Sequence, residues 1–453
     1  MVEWIIDEPL IARDRKHVWH PFTQECTAPP PIAIDHADGA YLYDTDGKAY
    51  LDLISSWWVN MHGHAHPAIA KAIYEQAQKL EHVIFAGFTH APAIELCERL
   101  CTLLPPALSK CFFSDNGSTA VEVALKMAYQ YWANQGAEER SLFLSFSGGY
   151  HGDTFGAMSV GAASVFHSPF QKLFFKTITI PYPDTWEGDN TITSKEDSAL
   201  TQLEHQLTTK GHQIAALIIE PLVQGASGMR ICRPAFMQKV VAMCQRAGVL
   251  VIFDEVMTGF GRLGALFALD LLGVVPDFLC LSKGLTGGFL PLALTVTQPE
   301  IYEGFLSPQA GNAFLHGHSY TANPIACRAA LASLDLLIDP SCEARRAEIS
   351  RAHVQGGTLL KAKCPRIQRY RHLGTINSFS LPFSDETLAT FRQDALDAGL
   401  LLRPLGQELY LLPPYCVDET TLLTLPLRHL PNFVVIMELR GYATITVLSY
   451  KLL

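Results

Sequence analysis

The chain has 453 residues, 49% of them apolar and 17% charged, which is the composition of a globular protein and excludes a disordered or fibrous one. The formal charge is -10 and no basic block stands out, so a nucleic-acid partner is not expected. This length suffices for one large domain and a smaller one.

The first residues carry Glu3, Asp7 and Glu8. They lack the basic stretch and apolar core of a signal peptide. No uncharged apolar run reaches the ~20 residues that span a bilayer, so no membrane partner is expected. Eleven cysteines, an odd number without a CxxC pair, predict reduced thiols and a cytoplasmic setting. Cys97 and Cys101 sit four apart, a spacing that suits core packing on a helix.

In chain order, turns at Asp38-Gly39 and Asp46-Gly47 predict a small hairpin meander that packs on the C-terminal part. From about residue 109 to 294 the pattern becomes strand, turn, helix, repeated. Apolar runs at 110–113, 142–146, 214–219, 249–253 and 278–281 read as buried parallel strands. A helix is predicted over 118–132, with Val121, Ala124, Leu125, Ala128 and Trp132 on one face and Gly136 to end it. Helices are also expected over 329–337 and 385–397. Short strands are expected over 400–403 and 408–412, around Pro404-Leu405-Gly406. The resulting division is 1–60 as the N-terminal part of a small domain, 61–328 as the large domain and 329–432 as the C-terminal part of the small one. Residues 433–453 are expected to be an atypical, β-prone tail, dispensable for cofactor binding or adding an edge strand or a subunit contact.

Polar residues and glycines follow four of the predicted strands: Gly148-Gly149-Tyr150-His151-Gly152-Asp153, Glu220-Pro221, Asp254-Glu255 and Ser282-Lys283-Gly284. Open α/β sheets bind ligands at the carboxyl ends of their strands, so four such clusters point to one site. Lys283 lies between an apolar strand and a glycine-rich stretch. Desolvation there lowers its pKa and makes the neutral amine available. Taken alone, it could equally begin a surface loop. Asp254, directly after an apolar run, suits the carboxylate that keeps a pyridine nitrogen protonated; a turn or cap aspartate is the alternative. Asn116-Gly117-Ser118-Thr119 opens a helix and offers backbone N–H groups for a phosphate, or a simple cap. Tyr150 can lie flat on an aromatic ring, with His151 beside it. Together these groups suit pyridoxal phosphate.

Two patterns mislead. Gly259-Phe260-Gly261-Arg262-Leu263-Gly264 matches the dinucleotide fingerprint, but Asp254 to Thr258 separate it from its strand. His62-Gly63-His64-Ala65-His66 lacks a carboxylate or cysteine nearby to complete a metal site, so no metal is expected.

The segments Gly149-Tyr150-His151-Gly152-Asp153-Thr154, Asp254 through Arg262, and Leu281 through Gly288 resemble the class III aminotransferases, pyridoxal-phosphate enzymes of fold type I. That implies a large α/β domain with a mainly parallel central sheet flanked by helices, plus a smaller α+β domain built from both chain ends. Other segments look like one branch of that class, the adenosylmethionine–8-amino-7-oxononanoate aminotransferases, which make 7,8-diaminononanoate in biotin biosynthesis. They are Trp19 to Gln24, Ser55-Ser56-Trp57-Trp58, Thr89 to Leu96, Val223 to Ala226, His316 to Pro324, Leu402 to Gly406 and Tyr410 to Tyr415.

The resemblance implies that Lys283 carries the cofactor as a Schiff base and shuttles the proton, while Asp254 pairs with the ring nitrogen. Gly117 and Ser118 would hold the phosphate, with Ser319, next to His318, reaching it from the other subunit of a homodimer. Tyr150 would stack on the cofactor, and His151 and Glu220 would complete its pocket. Trp57, Trp58 and Gly317 would wall the substrate channel, and Arg403 would bind the substrate carboxylate. Phe22 stands where relatives that use adenosylmethionine often carry tyrosine, so lysine is the competing donor. The alternative within the class is an ω-aminotransferase acting on ornithine, 4-aminobutyrate or a diamine. A mutase or decarboxylase on the same fold stands further off, and a non-enzymatic binding protein further still.

Overall fold

The computed structural model describes residues 9–161, 167–382 and 384–423. The chain opens with β1 (Ile34–Asp38), β2 (Tyr41–Asp44) and β3 (Ala49–Asp52), an antiparallel meander. Its turns use Gly39 at φ 54° and Gly47 at φ 82°, backbone conformations that glycine adopts without a Cβ penalty.

The main sheet follows. It contains β4 (Lys110–Ser114), β5 (Leu142–Phe146), β6 (Thr177–Ile180) and β7 (Ile214–Ile219). A short hairpin, β8 (Val223–Gln224) with β9 (Arg230–Ile231), leaves it before β10 (Leu250–Asp254), β11 (Phe278–Leu281) and β12 (Ala293–Thr297) complete it. The order across the sheet is β4-β12-β11-β10-β7-β5-β6. Strands β6, β5, β7, β10 and β11 pair in parallel; β12 runs against them, and β4, antiparallel to β12, again runs in their direction. All six residues of β7 and all five of β10 are buried, which is why both read as unbroken apolar runs.

The five expected runs are all strands of this sheet. The run at 249–253 is displaced by one, so that Asp254 is the last residue of β10. Two strands of the sheet were not anticipated. Threonines interrupt the apolar character of β6 and β12, but in β12 the hydroxyls are satisfied. Thr295 Oγ1 donates to the Ala120 carbonyl at 2.8 Å and Thr297 Oγ1 to that of Asp277 at 2.8 Å, so burial costs these groups little.

The helix predicted over 118–132 runs Gly117–Asn134. Asn116 Oδ1 accepts from the Thr119 N–H and Thr119 Oγ1 from the Asn116 N–H, both at 3.0 Å, a reciprocal cap. Val121, Ala124, Leu125 and Ala128 are buried against the sheet. At roughly 1.5–3 kcal/mol for each large aliphatic side chain, this face fixes the helix and hence the direction in which its start points.

After the helices Pro324–Ile338 and Pro340–Lys363 come β13 (Gln368–Leu373) and β14 (Ile376–Ser380), and after the helix Asp385–Asp397 comes β16 (Glu408–Leu411), the three strands forming an antiparallel sheet. Strand β15 (Leu400–Leu401) pairs in parallel with β3, Leu400 opposite Leu51. Both chain ends therefore share one sheet, as the expected packing of the meander required. The strand expected over 400–403 stops after two residues, ahead of Pro404, which has no N–H to pair. The tail 433–453 lies outside the described residues. Among the described residues, no helix is long and apolar enough to cross a membrane, and all eleven cysteines are unpaired.

Candidate active site

Because β5, β7, β10 and β11 run parallel, their carboxyl ends open on the same side of the sheet. His151, Glu220, Asp254 and Lys283 follow or end those strands, and all four line one cavity of about 200 Å³. Gly117 and Ser118, at the start of the helix Gly117–Asn134, line it too, as do Tyr150 and Trp58. The parallel register of β10 and β11, Asp254 opposite Cys280, brings the strand ends carrying Asp254 and Lys283 together.

Burial pulls the Lys283 ammonium down from the usual 10.5 to about 8. At pH 7 about a tenth of such amines are neutral, against a few in ten thousand at the ordinary value. Its Nζ lies 4.7 Å from the centre of the Trp58 ring. Asp254 is buried; its Oδ2 lies 2.7 Å from His151 Nδ1, and its Oδ1 accepts the Val256 N–H at 3.1 Å. His151 is buried as well, so this pair fixes the direction of the carboxylate. Glu220 is buried and accepts N–H groups of Tyr150 (3.1 Å) and Gly225 (3.0 Å). Burial pushes its carboxyl up to about 7. The Tyr150 hydroxyl donates to Asp153 at 3.1 Å, and burial together with that carboxylate holds the phenol protonated well above its ordinary range.

The residues present fit pyridoxal phosphate. Asn116 and Thr119 satisfy each other, which leaves the N–H groups of Gly117 and Ser118 as donors at the positive end of an 18-residue helix. A Cβ on Gly152 would collide with the Ser118 side chain, and one on Gly117 would meet Val256 Cγ1 at 2.6 Å. The cradle is thus kept open by missing side chains. Opposite it stand a fixed carboxylate and a partly neutral amine, the partners that a ring nitrogen and an aldehyde require.

Trp57 and Trp58 do not serve one wall, although they are neighbours. Trp58 is buried and donates from Nε1 to the Tyr410 hydroxyl at 3.0 Å. Trp57 is 36% exposed. The Arg403 guanidinium lies 3.8 Å from the Trp57 ring centre, and Phe22 meets that ring edge-on at 5.2 Å. Phe22 also lines a second, mostly apolar cavity of about 540 Å³ with Phe155, Met158 and Phe170; Asp153 lines both cavities. The two tryptophans belong to Ser55–Trp58, a left-handed turn. All four residues have positive φ, with φ/ψ of 43°/55° at Ser56 and 70°/45° at Trp57. Such backbone costs L-residues about 1–2 kcal/mol each.

Gly317, His318 and Ser319 are not among the residues lining either cavity. His318 Nε2 lies 3.5 Å from Asp115 Oδ1, on an exposed loop. The two misleading patterns have structural roles. Arg262 of the glycine-rich stretch is buried and donates to the carbonyls of Pro413 (3.0 Å), Trp58 (3.3 Å) and Asn60 (3.1 Å). In the histidine run, His62 lies 3.1 Å from Ser333 Oγ and His64 lies 3.0 Å from Asp52 Oδ2, while His66 caps the helix Pro67–Lys79. Sequence reasoning passed over Asp52. The signal for it was present: like Asp254, it ends an apolar strand, here Ala49-Tyr50-Leu51-Asp52.

The model of the family described as aminotransferase class-III matches residues 23–425. An adenosylmethionine-8-amino-7-oxononanoate aminotransferase of Synechococcus elongatus is 54% identical over 90% of this chain and 96% of its own length. One of Nitratidesulfovibrio vulgaris is 41% identical over 91% and 79%. Among solved structures, the adenosylmethionine-8-amino-7-oxononanoate aminotransferase of Methanocaldococcus jannaschii superposes with a TM-score of 0.85 at 34% identity, covering 92% of this chain and 96% of that one. An amine transaminase from an uncultivated Pseudomonas species, in its pyridoxal-phosphate-bound form, gives 0.83 at 31% identity, covering 90% and 96%. With a half-buried lysine and a buried carboxylate at the strand ends and a helix start that fits a phosphate, this chain belongs to the class-III aminotransferases and is a pyridoxal-phosphate-dependent transaminase of fold type I.

Proposed function

We propose that the protein transfers an amino group to 8-amino-7-oxononanoate, giving 7,8-diaminononanoate in biotin biosynthesis, with adenosylmethionine as donor. The observation that carries this reading is the convergence of Lys283, Asp254 and the Gly117–Ser118 helix start on one cavity; Arg403 stacked on Trp57, the chain neighbour of the cavity-lining Trp58, is read as the mouth of that cavity. Support for the substrates comes from relatives named for them, the first at 54% identity over most of the chain.

Bound pyridoxal phosphate supplies an electron-withdrawing ring that stabilises negative charge at the carbon bearing the amine. The backbone N–H groups of Gly117 and Ser118 bind the phosphate. Asp254, oriented by His151, holds the proton on the ring nitrogen. The Lys283 amine, neutral in part at physiological pH, takes the proton from the reacting carbon and returns it. Tyr150 covers the ring, with its hydroxyl anchored on Asp153. Trp58 and Trp57 exclude water along an apolar chain, and Arg403 pairs with the carboxylate at that chain's far end.

The protein acts as a homodimer in the cytoplasm in this reading. Gly317, His318 and Ser319 serve the neighbouring subunit's cavity, which accounts for their exposed position here. The donor is the contested point. Adenosylmethionine needs aromatic walls, and Phe22, Phe155 and Phe170 supply them; lysine needs less room. A donor screen with 8-amino-7-oxononanoate as acceptor tests the proposal. Turnover with adenosylmethionine is expected. Turnover with lysine alone would overturn the donor, and no amination of this acceptor by any donor would overturn the substrate.

A further inference from the structure

The turn that separates the two tryptophans is anchored by one buried carboxylate. Asp52 has no exposed surface and does not line the cavity of Lys283. Its Oδ1 accepts the Ile54 N–H at 3.1 Å; its Oδ2 accepts the Ser56 hydroxyl at 2.8 Å and lies 3.0 Å from His64 Nε2. Two of these partners frame the start of the left-handed turn. The Ile54 carbonyl accepts the Trp58 N–H at 2.9 Å, and the Ser55 carbonyl accepts those of Val59 and Asn60, each at 3.0 Å. Fixing Ile54 and Ser56 therefore fixes the whole turn. The Ser55 hydroxyl adds a bond to the Leu412 carbonyl at 2.7 Å.

We propose that Asp52 is a positioning residue for amino-group transfer, because it sets the left hand of the Ser55–Trp58 turn and so aims Trp57 at the mouth and Trp58 at Lys283. The inference rests on the transaminase reading given above. Reversing the hand of a turn reverses the order in which its side chains step around the axis. With Trp58 held by Tyr410, a right-handed turn would swing Trp57 away from Arg403 and Phe22. Core packing accounts for the buried Trp58 but not for Trp57, which the turn leaves 36% exposed. Residues held in sparsely populated backbone regions gather at sites where geometry matters to function.

The test compares Asp52→Ala, Ser56→Gly and the double variant, each as the holoenzyme. Glycine takes left-handed backbone freely, so Ser56→Gly lowers the cost of the left hand at one of the four positive-φ residues without restoring any bond to residue 52. Asp52→Ala is expected to raise KM for the amino acceptor about tenfold, with kcat changed less, since small misplacements of positioning groups have effects of that order. It should also weaken the near-ultraviolet circular dichroism of the tryptophans while the far-ultraviolet signal stays. In the double variant both KM and the near-ultraviolet signal should return to within about threefold of wild type. An Asp52→Ala protein with unchanged KM and tryptophan signal would overturn the proposal, and so would a folded double variant without recovery. If Asp52→Ala does not fold, Asp52→Asn with and without Ser56→Gly is judged by the same criteria. Should the enzyme aminate no acceptor, the transaminase substrates are wrong, and the tryptophan signals of the same variants still decide the role of Asp52.

Discussion

The floor of the cavity and its mouth are built in opposite ways. The floor consists of side chains that end or follow adjacent strands of one sheet: His151 after β5, Glu220 after β7, Asp254 on β10 and Lys283 after β11. Their spacing is set by the hydrogen-bond ladder and by strands buried on both faces. The proposed mouth is assembled from parts far apart in the chain, Phe22, Trp57 and Arg403, held by ring contacts and a strained turn. The difference assigns roles. A floor fixed by the sheet suits proton transfer, which tolerates little misplacement. A mouth held by stacking can be retuned without disturbing the chemistry.

If the floor carries the chemistry, substitutions there should lower kcat, and the largest loss is expected at Lys283. Lys283→Ala should retain cofactor binding through the phosphate cradle yet lose nearly all turnover, since both covalent attachment and the proton carrier are removed. Activity within a factor of about ten of wild type would remove Lys283 from the mechanism. Asp254→Asn keeps the shape but not the charge. A loss of about two powers of ten in kcat is expected, roughly 3 kcal/mol of transition-state stabilisation, with folding unchanged by thermal melting. Near-normal turnover would mean that another group holds the ring nitrogen protonated.

Mouth substitutions should instead act on KM. Arg403→Ala removes the partner proposed for the substrate carboxylate. A rise in acceptor KM of about ten- to a hundredfold is expected, the range of one hydrogen-bonded charge pair at ~1.5–3 kcal/mol, with kcat largely kept. A fall in kcat with constant KM would place Arg403 with the floor. Phe22→Tyr should be the mildest change. It adds a hydroxyl beside Trp57 and is expected to raise kcat/KM for adenosylmethionine by at most about tenfold. If lysine is used well while adenosylmethionine is inert in both proteins, the donor assignment is wrong.

The floor was the legible part of the sequence for a physical reason. A parallel strand buried on both faces must be a continuous apolar run, and the residue that ends it stands out as polar. Lys283 and Asp254 were found that way. The same rule missed β12, because Thr295 and Thr297 break the run while bonding to carbonyls of other elements. It also missed Asp52, which obeys the rule but ends an antiparallel strand of the smaller sheet. The mouth was legible only through resemblance. Nothing in Ser55-Ser56-Trp57-Trp58 announces a left-handed turn, since no glycine marks it. Its hydrogen-bond partners, Asp52, Leu412 and Arg262, come from other segments. Trp57 and Trp58 read as one wall from sequence and have different partners and exposure in the structure.

The central claim is that Lys283 is the reactive amine, made available by burial. The direct test adds pyridoxal phosphate to the cofactor-free protein across a pH series, traps the product with borohydride and locates the pyridoxyl group by peptide mass spectrometry. The neutral amine is the form that reacts, so the initial trapping rate should rise with pH and level off above about 8, with all label on Lys283. Label on any other lysine, or a rate still climbing at pH 10 as an ordinary lysine would give, would contradict the account.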